Sequence, residues 1–380
     1  MSLPAITRKS VLWALSRIDR EGVPGGRQST KYCLIYDDRH YPPKYVYALA
    51  AECETGSALS PGDYSGGEQT NKPLRELGFT IKECKVLPRV ISSTRRIPAI
   101  GRLIVIRNSP GTPTAAEEML LKAFSCWPKW FAADFLITPG GFLQCELSGD
   151  VPERTSWDSD KKDFPHLRKT AETFVKRVIS SRLLAAATGK AKFLTIGIDL
   201  ANANGTFVAE LIAVINLCSG RIIRWTGKSY PTSEQERALW QVTDLESHCV
   251  NIAGYRVLVL GCHDLNMFSN RAWTNQKKGS LRRRRTTAMR RVAKHFGPDV
   301  ILHHPHRTDS ANIWGTAWSG AKELFNPIAW ASGILYEDNR SPRMPLEAVR
   351  DGTRAHNGPF CDIILCPGKR LPEIWTVSHA

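Results

Sequence analysis

The stretch Phe193-Leu-Thr-Ile-Gly-Ile-Asp-Leu200 decides the fold class. It is a mostly apolar run of the length of a buried strand, and it carries one carboxylate, Asp199, near its end. Two more strand-like runs follow after short turns, at Phe207–Asn216 and Arg221–Trp225. Helices and strands then alternate over Ser233–Gln241, Arg256–Leu260, Arg282–Phe296 and Asp299–His303. This order predicts an α/β domain with a mixed sheet, possibly RNase H-like. A Rossmann-like sheet with an added hairpin would have nearly the same order.

Upstream of this stretch, the pattern also alternates between strands and helices. We expect a strand at Arg102–Arg107, a helix at Ala115–Phe124, a hairpin over Phe135–Leu147 and a long helix over Leu167–Ala187. Residues 86–100 carry prolines, serines and arginines without periodicity. The sequence therefore predicts a head domain over 1–85, a linker over 86–100 and an α/β effector domain over 101–380.

The first 80 residues have the pattern of a small α+β domain. Leu12, Leu15 and Ile18 share one side of a helix, and a short strand is expected at Tyr32–Tyr36. Pro42-Pro43 opens a second helix, and Asn71–Leu77 reads as a third that Gly78 closes.

Several short motifs give this segment a family resemblance. They are Ala14-Leu-Ser-Arg-Ile-Asp19, Gly22-Val-Pro24, Arg27-Gln-Ser29, Tyr41-Pro-Pro-Lys-Tyr-Val46, Ser65-Gly-Gly-Glu68 with Asn71, and Leu77-Gly-Phe79. The segment resembles the N-terminal head region of McrA-type restriction endonucleases and related defence proteins. The resemblance implies a module that is delivered to DNA beside an effector. The chain lacks an HNH signature downstream, so the catalytic module usual in that family is not evident.

The charge of the chain favours a polyanionic partner. The formal net charge is +16 at pH 7 over 380 residues, and each Lys or Arg that neutralises a phosphate releases condensed counterions. No apolar run approaches the roughly 20 residues that span a bilayer. Ten cysteines without a close CxxC pair, among them Cys33 and Cys84, indicate reduced thiols. We therefore expect a cytoplasmic protein that binds DNA, with RNA as the alternative. We expect no membrane partner, and a partner protein of a defence system is a second candidate.

Basic side chains that could hold nucleic acid occur in both domains. In the head they accompany an aromatic ring that could stack on a base, and in the effector domain they crowd one helix. The predicted nucleic-acid-binding residues are Arg27, Lys44, Tyr45, Arg271, Arg282, Arg283, Arg284, Arg285, Arg290, Arg291 and Arg307. Four consecutive arginines cover all sides of a helix, which makes a phosphate backbone a better partner than one acidic group.

Imidazole and carboxylate groups follow the apolar strands of the effector domain. The strand at Arg256–Leu260 leads into Gly261-Cys-His-Asp264, and Val300-Ile-Leu302 leads into His303-His-Pro-His306 and Asp309. Because sites form at the carboxyl ends of strands in α/β sheets, we expect these groups to meet Asp199 at one edge. The predicted catalytic residues are Asp199, His263, Asp264, His306 and Asp309. The predicted metal ligands are Asp199, Asp264, His303, His306 and Asp309.

These residues lead to the hypothesis of a restriction or antiphage-defence effector that cleaves phosphodiester bonds with a divalent metal, Mg or Mn, with Zn possible. Two other classes stay open: a non-catalytic sensor of modified or foreign DNA, and a DNA-activated enzyme acting on a small nucleotide. A PD-(D/E)xK nuclease is disfavoured, because Asp199 and Glu210 would require a lysine where Ile212 stands. A Gly-x-Ser-x-Gly elbow and a phosphate-binding P-loop are both missing.

Overall fold

The structure, a computed structural model, forms two compact units, Met1–Arg95 and Arg96–Ala380. The described residues are 3–21, 23, 27, 31–36, 39–57, 59, 64–83, 96–147, 157–232, 235–236, 238–307, 311–337, 344–355, 358–365 and 373–377. Residues 96–100, predicted as the end of the linker, belong to the second unit, where Ile100 begins a strand. Among the helices of these residues, none is both long and apolar enough to cross a membrane.

The first unit is a small α+β domain. Its elements are α1 (Arg8–Glu21), β1 (Tyr32–Tyr36), β2 (Arg39–Tyr41), α2 (Pro43–Thr55), α3 (Glu68–Glu76) and β3 (Thr80–Glu83). The strands form an antiparallel sheet in the order β2-β1-β3. The apolar side of α1 is buried with Leu34 and Val46, as the spacing of Leu15 and Ile18 predicts. Cys33 is disulfide-bonded, so the expectation that it is a reduced thiol is wrong.

The second unit contains a larger and a smaller sheet. Its first elements are β4 (Ile100–Ile106), α4 (Pro113–Ser125), β5 (Ala133–Ile137), β6 (Leu143–Glu146), α5 (Trp157–Val178), α6 (Ser181–Ala187), β7 (Ala191–Ala201), β8 (Phe207–Asn216) and β9 (Arg221–Gly227). The remaining ones are β10 (Cys249–Ile252), β11 (Tyr255–Gly261), α7 (Asn270–Asn275), α8 (Leu281–Phe296), β12 (Val300–His304), α9 (Ala311–Phe325), β13 (Ala329–Ser332), β14 (Ile334–Tyr336), α10 (Leu346–Gly352), β15 (Phe360–Leu365) and β16 (Glu373–Val377).

The two sheets pack face to face between layers of helices. The larger sheet has the order β16-β15-β4-β5-β7-β8-β9, and the smaller has β10-β11-β12-β13. A shared cluster of apolar side chains, including Phe135, Val214 and Val259, lies between them. Helices α4, α5 and α6 cover the other side of the larger sheet, and α8 and α9 cover that of the smaller. Strands buried on both sides have continuous apolar sequences, which is the pattern of β4 and β11.

This arrangement confirms an α/β fold with a small α+β region and a larger mixed-sheet domain, but an RNase H-like core is not confirmed. The three antiparallel strands β7, β8 and β9 are present as expected. However, β11 lies in the other sheet, whereas the RNase H-like reading requires it beside β7. The hairpin expected over Phe135–Leu147 is also wrong, because β5 and β6 both run parallel to β7.

A buried ion pair joins the neighbouring strands β4 and β15 of the larger sheet. Arg102 donates through Nε to Asp362 Oδ1 at 2.8 Å and through Nη2 to Oδ2 at 3.0 Å, and both side chains are 0% exposed. Arg350 adds a third charged contact to the same carboxylate at 3.0 Å. Burial by itself raises the pKa of Asp362, but the guanidinium groups of Arg102, Arg354 and Arg350 outweigh it and hold that pKa below its ordinary value.

Replacing Asp362 with alanine should destabilise the second unit strongly. The change leaves the Arg102 guanidinium buried without its counter-charge, which typically costs about 3–5 kcal/mol. The measurement is the free energy of unfolding in urea. Lys176→Ala, which breaks an exposed pair with Glu172, is the matched control and should cost less than about 1 kcal/mol. Equal losses in the two variants would contradict a structural role for the buried pair.

Candidate active site

Polar side chains from both sheets meet at one end of the second unit. Asp199 on β7 lies directly opposite Glu210 on the antiparallel strand β8. Cys262 follows the last residue of β11, and His306 follows β12 by two residues. Because β11 and β12 are parallel neighbours, their carboxyl ends bring these two side chains to the same edge.

His306 contacts both carboxylates. Its Nε2 donates to Asp199 Oδ1 at 2.8 Å, and its Nδ1 lies 3.5 Å from Glu210 Oε2. Burial by itself lowers the pKa of His306, but Asp199 and Glu210 raise it well above the ordinary value. The imidazole therefore carries a positive charge at neutral pH. Asp199 and His306 form a charged pair at the mouth of the site.

Glu210 also pairs with a buried lysine. Lys228 follows β9 and donates through Nζ to Glu210 Oε1 at 2.6 Å, and to Gln235 Oε1 at 2.8 Å. The Lys228 side chain is only 1% exposed, so its charge needs this partner. Within the described residues, Glu210 Oε2 is buried and makes no hydrogen bond. One oxygen of the carboxylate is thus held by lysine, and the other lies beside the His306 ring at 3.5 Å without a hydrogen bond.

Cys262 is a buried free thiol beside these charges. Its Sγ accepts a hydrogen bond from the backbone N–H of His306 at 3.4 Å. Burial by itself raises the pKa of the thiol, but the rings of His263 and His306 outweigh it and bring the pKa well below its ordinary value. A thiolate is the nucleophilic form of cysteine, so the site favours the reactive state.

Glycine and close backbone packing complete the wall of a small cavity. Gly141 has a φ of +60°, and a Cβ there would collide with the Asp199 carboxylate. A Cβ at Gly140 would lie 3.0 Å from the His306 ring. The cavity has a volume of about 10 Å³, and both Cys262 and Glu210 line it. The thiol and the Glu210 carboxylate therefore line the same cavity.

Two of the predicted site residues have structural roles. Asp264 is 0% exposed. Its Oδ1 accepts from the backbone N–H groups of Ser229 and Tyr230 at 2.9 and 2.7 Å, and its Oδ2 from that of Gly261 at 3.0 Å. His303 donates through Nε2 to the Cys262 carbonyl at 2.7 Å. Burial lowers the pKa of His303 to about 4, so this ring is neutral. Asp264 thus holds the segment that follows Lys228, and His303 holds the backbone of the cysteine.

The predicted divalent metal is a wrong prediction for this site. Among the residues that the structure describes, no three His, Cys, Asp or Glu side chains form a group that could hold a metal ion. Asp264 and His303 are engaged with backbone groups, whereas Asp199 pairs with His306. Asp309 lies outside the described residues. The prediction of a metal-dependent nuclease is wrong as well, because the ligands that it requires do not converge.

Sequence reasoning missed three residues of the site. Cys262 stands inside the cluster that begins at Arg256 but was not given a role, Glu210 was considered only as a nuclease carboxylate, and Lys228 was not considered. The available signal was a cysteine placed directly after the final glycine of a buried strand and followed by histidine. Lys228 left no such signal, because only the pairing of β8 with β9 brings it to Glu210.

The arginines predicted to hold nucleic acid divide into internal and exposed groups. Arg285 is 5% exposed and bonds Gln241, and Arg290 donates to the carbonyls of Met267, Phe268 and Ser269. Arg282 donates to the Pro231 carbonyl and lies over the Tyr230 ring at 4.2 Å, whereas Arg283 lies over Trp273 at 3.2 Å. Arg284, Arg291 and Arg307 are exposed. Arg307 contacts Glu337 at 3.3 Å, and the side chain of Arg271 lies outside the described part.

The predicted residues of the first unit form a cluster of cations on tyrosines. Arg27 lies 5.8 Å from the centre of the Tyr45 ring and donates to the Tyr64 hydroxyl at 3.3 Å. Lys44 lies 4.8 Å from the Tyr64 ring. The three predicted residues Arg27, Lys44 and Tyr45 are therefore close together on this unit.

Comparison with known proteins identifies the first unit. Residues 4–83 match the family model described as ScoMcrA-like, N-terminal head domain, which confirms the resemblance inferred from the sequence. A search of curated proteins gave no match for the chain.

Solved structures show a limited likeness to this chain. A mutant amidase of the nitrilase superfamily from Nesterenkonia AN1 is 15% identical, with a TM-score of 0.39 over 64% of this chain and 79% of that one. Another mutant of the amidase, with acrylamide added at its active site cysteine, is 14% identical, with a TM-score of 0.37 over 62% and 78%. A CN-hydrolase superfamily protein from Xanthomonas campestris, with an arsenic adduct in its active site, is 13% identical, with a TM-score of 0.35 over 63% and 77%.

Alkylation of Cys262 should be fast at a pH where ordinary cysteines, with a pKa near about 8.5, react slowly. The measurement is the pH dependence of iodoacetamide modification, followed on the peptide that contains Cys262. His306→Gln should move the midpoint of this profile to higher pH, because the charge that favours the thiolate is removed. The exposed Cys218 serves as the internal control. A profile for Cys262 that matches that of Cys218 would refute a stabilised thiolate.

Proposed function

We propose that the second unit is a cysteine hydrolase that cleaves a small amide through a thioester on Cys262. The observation that carries this proposal is the shared cavity, in which a thiol of lowered pKa and the unbonded Oε2 of Glu210 stand on the same space. A nucleophile beside an acid–base group is the arrangement that acyl transfer requires.

The reaction can be written with the residues present. The thiolate of Cys262 forms as its proton passes to Glu210, and Sγ then attacks the carbonyl carbon of the amide. The C–N bond breaks as Glu210 returns that proton to the nitrogen, so that an amine or ammonia leaves and a thioester remains. Glu210 then takes a proton from water, whose oxygen attacks the thioester. The C–S bond breaks, a carboxylic acid forms, and Sγ recovers its proton from Glu210.

The two cations of the site keep these groups in the required states. Lys228 holds one oxygen of Glu210 at 2.6 Å, so that the carboxylate presents its other oxygen to the cavity. Its positive charge also compensates the negative charge that develops on the substrate oxygen. His306 places a second positive charge and a backbone N–H beside Sγ, which favours the thiolate.

The cavity itself limits the substrate. Its volume of about 10 Å³ is close to the minimum that a single water molecule needs, so only a small substrate can approach the thiol. Asp199 and Glu210 both line the cavity, and two carboxylates disfavour a substrate that carries its own carboxylate. We therefore expect a small neutral amide.

We also propose that the first unit contributes to contact with DNA, because Arg27 and Lys44 lie together beside Tyr45 and Tyr64. Cations next to aromatic rings suit a nucleic-acid backbone and its bases. The expected compartment is the cytoplasm, because the proposed nucleophile Cys262 must remain a free thiol. The disulfide bond of Cys33 in the first unit is a feature that this expectation does not explain.

Removing the thiol should abolish amide hydrolysis. We expect Cys262→Ala to lower kcat by on the order of 10⁴–10⁶, the loss typical for a deleted nucleophile. The measurement is ammonia release from acetamide and propionamide, with succinamate as the anionic comparison, in the presence and absence of EDTA. Intact mass should show an acyl adduct that maps to Cys262. Cys218→Ala is the matched control and should retain full activity. Hydrolysis by Cys262→Ala would refute the proposal.

The acid–base role of Glu210 can be separated from the nucleophile. Glu210→Gln keeps the shape of the side chain but removes its base, so kcat should fall by about 10²–10⁴. Because Cys262 and His306 remain, the thiol should still be alkylated at low pH. A variant that loses alkylation together with hydrolysis would show that Glu210 only supports the structure.

A further inference from the structure

The outer surface of α8 and the loop before it is strongly basic. Five cations are exposed there: Lys277, Lys278, Arg284, Arg291 and Lys294. None of the five forms an ion pair within the described part of the chain. We call these five residues the basic surface of α8.

Other arginines of the same helix are already used inside the fold. Arg285 and Arg290 bond a side chain and backbone carbonyls, and Arg282 and Arg283 lie over aromatic rings. These contacts hold α8 in place. The five cations of the basic surface make no such contact, so packing of the helix does not explain why they are there. Keeping like charges together without counter-charges is unfavourable, so a partner that supplies many negative charges would stabilise it.

We propose that the basic surface of α8 binds the phosphate backbone of nucleic acid. From Arg284 to Lys294 the helix advances ten residues, or about 15 Å at 1.5 Å per residue. Duplex DNA carries one negative charge per about 1.7 Å of its axis, both strands counted, so roughly nine phosphates lie within that length and part of them face the helix. This surface belongs to the second unit alone, and the proposal holds whether or not Cys262 performs chemistry.

A membrane fits the same surface less well. A helix that binds a bilayer inserts its apolar side between the lipids, but the apolar side of α8, with Met289 and Ala293, is buried in the core under the smaller sheet. Leu281 is the large apolar side chain that α8 leaves exposed, at 38%. One leucine offers little area for insertion, whereas phosphate contacts need only the cations.

The test compares two charge reversals in the full chain. The first is Arg284→Glu, Arg291→Glu and Lys294→Glu on α8. The matched control is Arg168→Glu, Lys169→Glu and Arg182→Glu, three exposed residues of α5 and α6 in the helix layer on the opposite side of the two sheets. Both change the net charge equally, and thermal unfolding of each shows that the fold is kept.

The readout is the dissociation constant for a 30-base-pair duplex and for a single strand at several salt concentrations. We expect the α8 variant to lose at least tenfold in affinity, and its log–log salt slope to fall by about 2–3, since each lost phosphate contact removes about 0.9. The control should change affinity by less than about threefold, through net charge alone. Equal losses in the two variants would overturn the proposal. So would unchanged DNA binding by the α8 variant, or basic-surface-dependent binding to phosphatidylserine vesicles or an acidic peptide without binding to DNA.

Discussion

The burial of two facing carboxylates is the constraint on which the site depends. Asp199 and Glu210 are cross-strand neighbours on β7 and β8, and both are buried, at 2% and 8% exposure. Like charges at that distance inside a protein are costly unless each has a counter-charge. His306 is the counter-charge of Asp199, and Lys228 is the counter-charge of Glu210. The two cations come from different sheets, so this balance exists only when the sheets are packed together.

Asp264 fixes the place of the cysteine beside these charges. Cys262 directly follows the strand β11, and the carboxylate of Asp264 accepts from three backbone N–H groups in and near this turn. Two of those N–H groups belong to the segment directly after Lys228, so the carboxylate fixes the lysine and the cysteine relative to each other. Asp264, which resembles a metal ligand in the sequence, therefore joins the segment after Lys228 to the turn that carries Cys262.

Helix α8 contacts the segment that follows Lys228 and also carries the basic surface. Arg282 holds the Pro231 carbonyl and the Tyr230 ring, and Gln276 donates to the Tyr230 hydroxyl at 2.6 Å. The segment directly after Lys228 is therefore held on its buried side by Asp264 and on its outer side by Arg282 at the start of α8. The arginines of α8 therefore differ by their position around one helix: those turned inward bond neighbouring segments of the fold, and those turned outward belong to the basic surface.

The sequence by itself determined the fold class and many of the elements, but not the parallel pairing of β5 and β6 with β7. Periodicity identified β1, β8 and α8, and the motifs around Tyr41 and Gly66 identified the head unit, because these signals are local. It could not decide which strands share a sheet. Asp199 and Asp264 both follow the expected pattern of strand-end carboxylates, yet β7 and β11 lie in different sheets, and the carboxylates have different partners. Only the tertiary structure could bring Lys228, Glu210 and Cys262 together, because sheet pairing and face-to-face packing are non-local, and the lowered pKa of a thiol depends on charges that are distant along the chain.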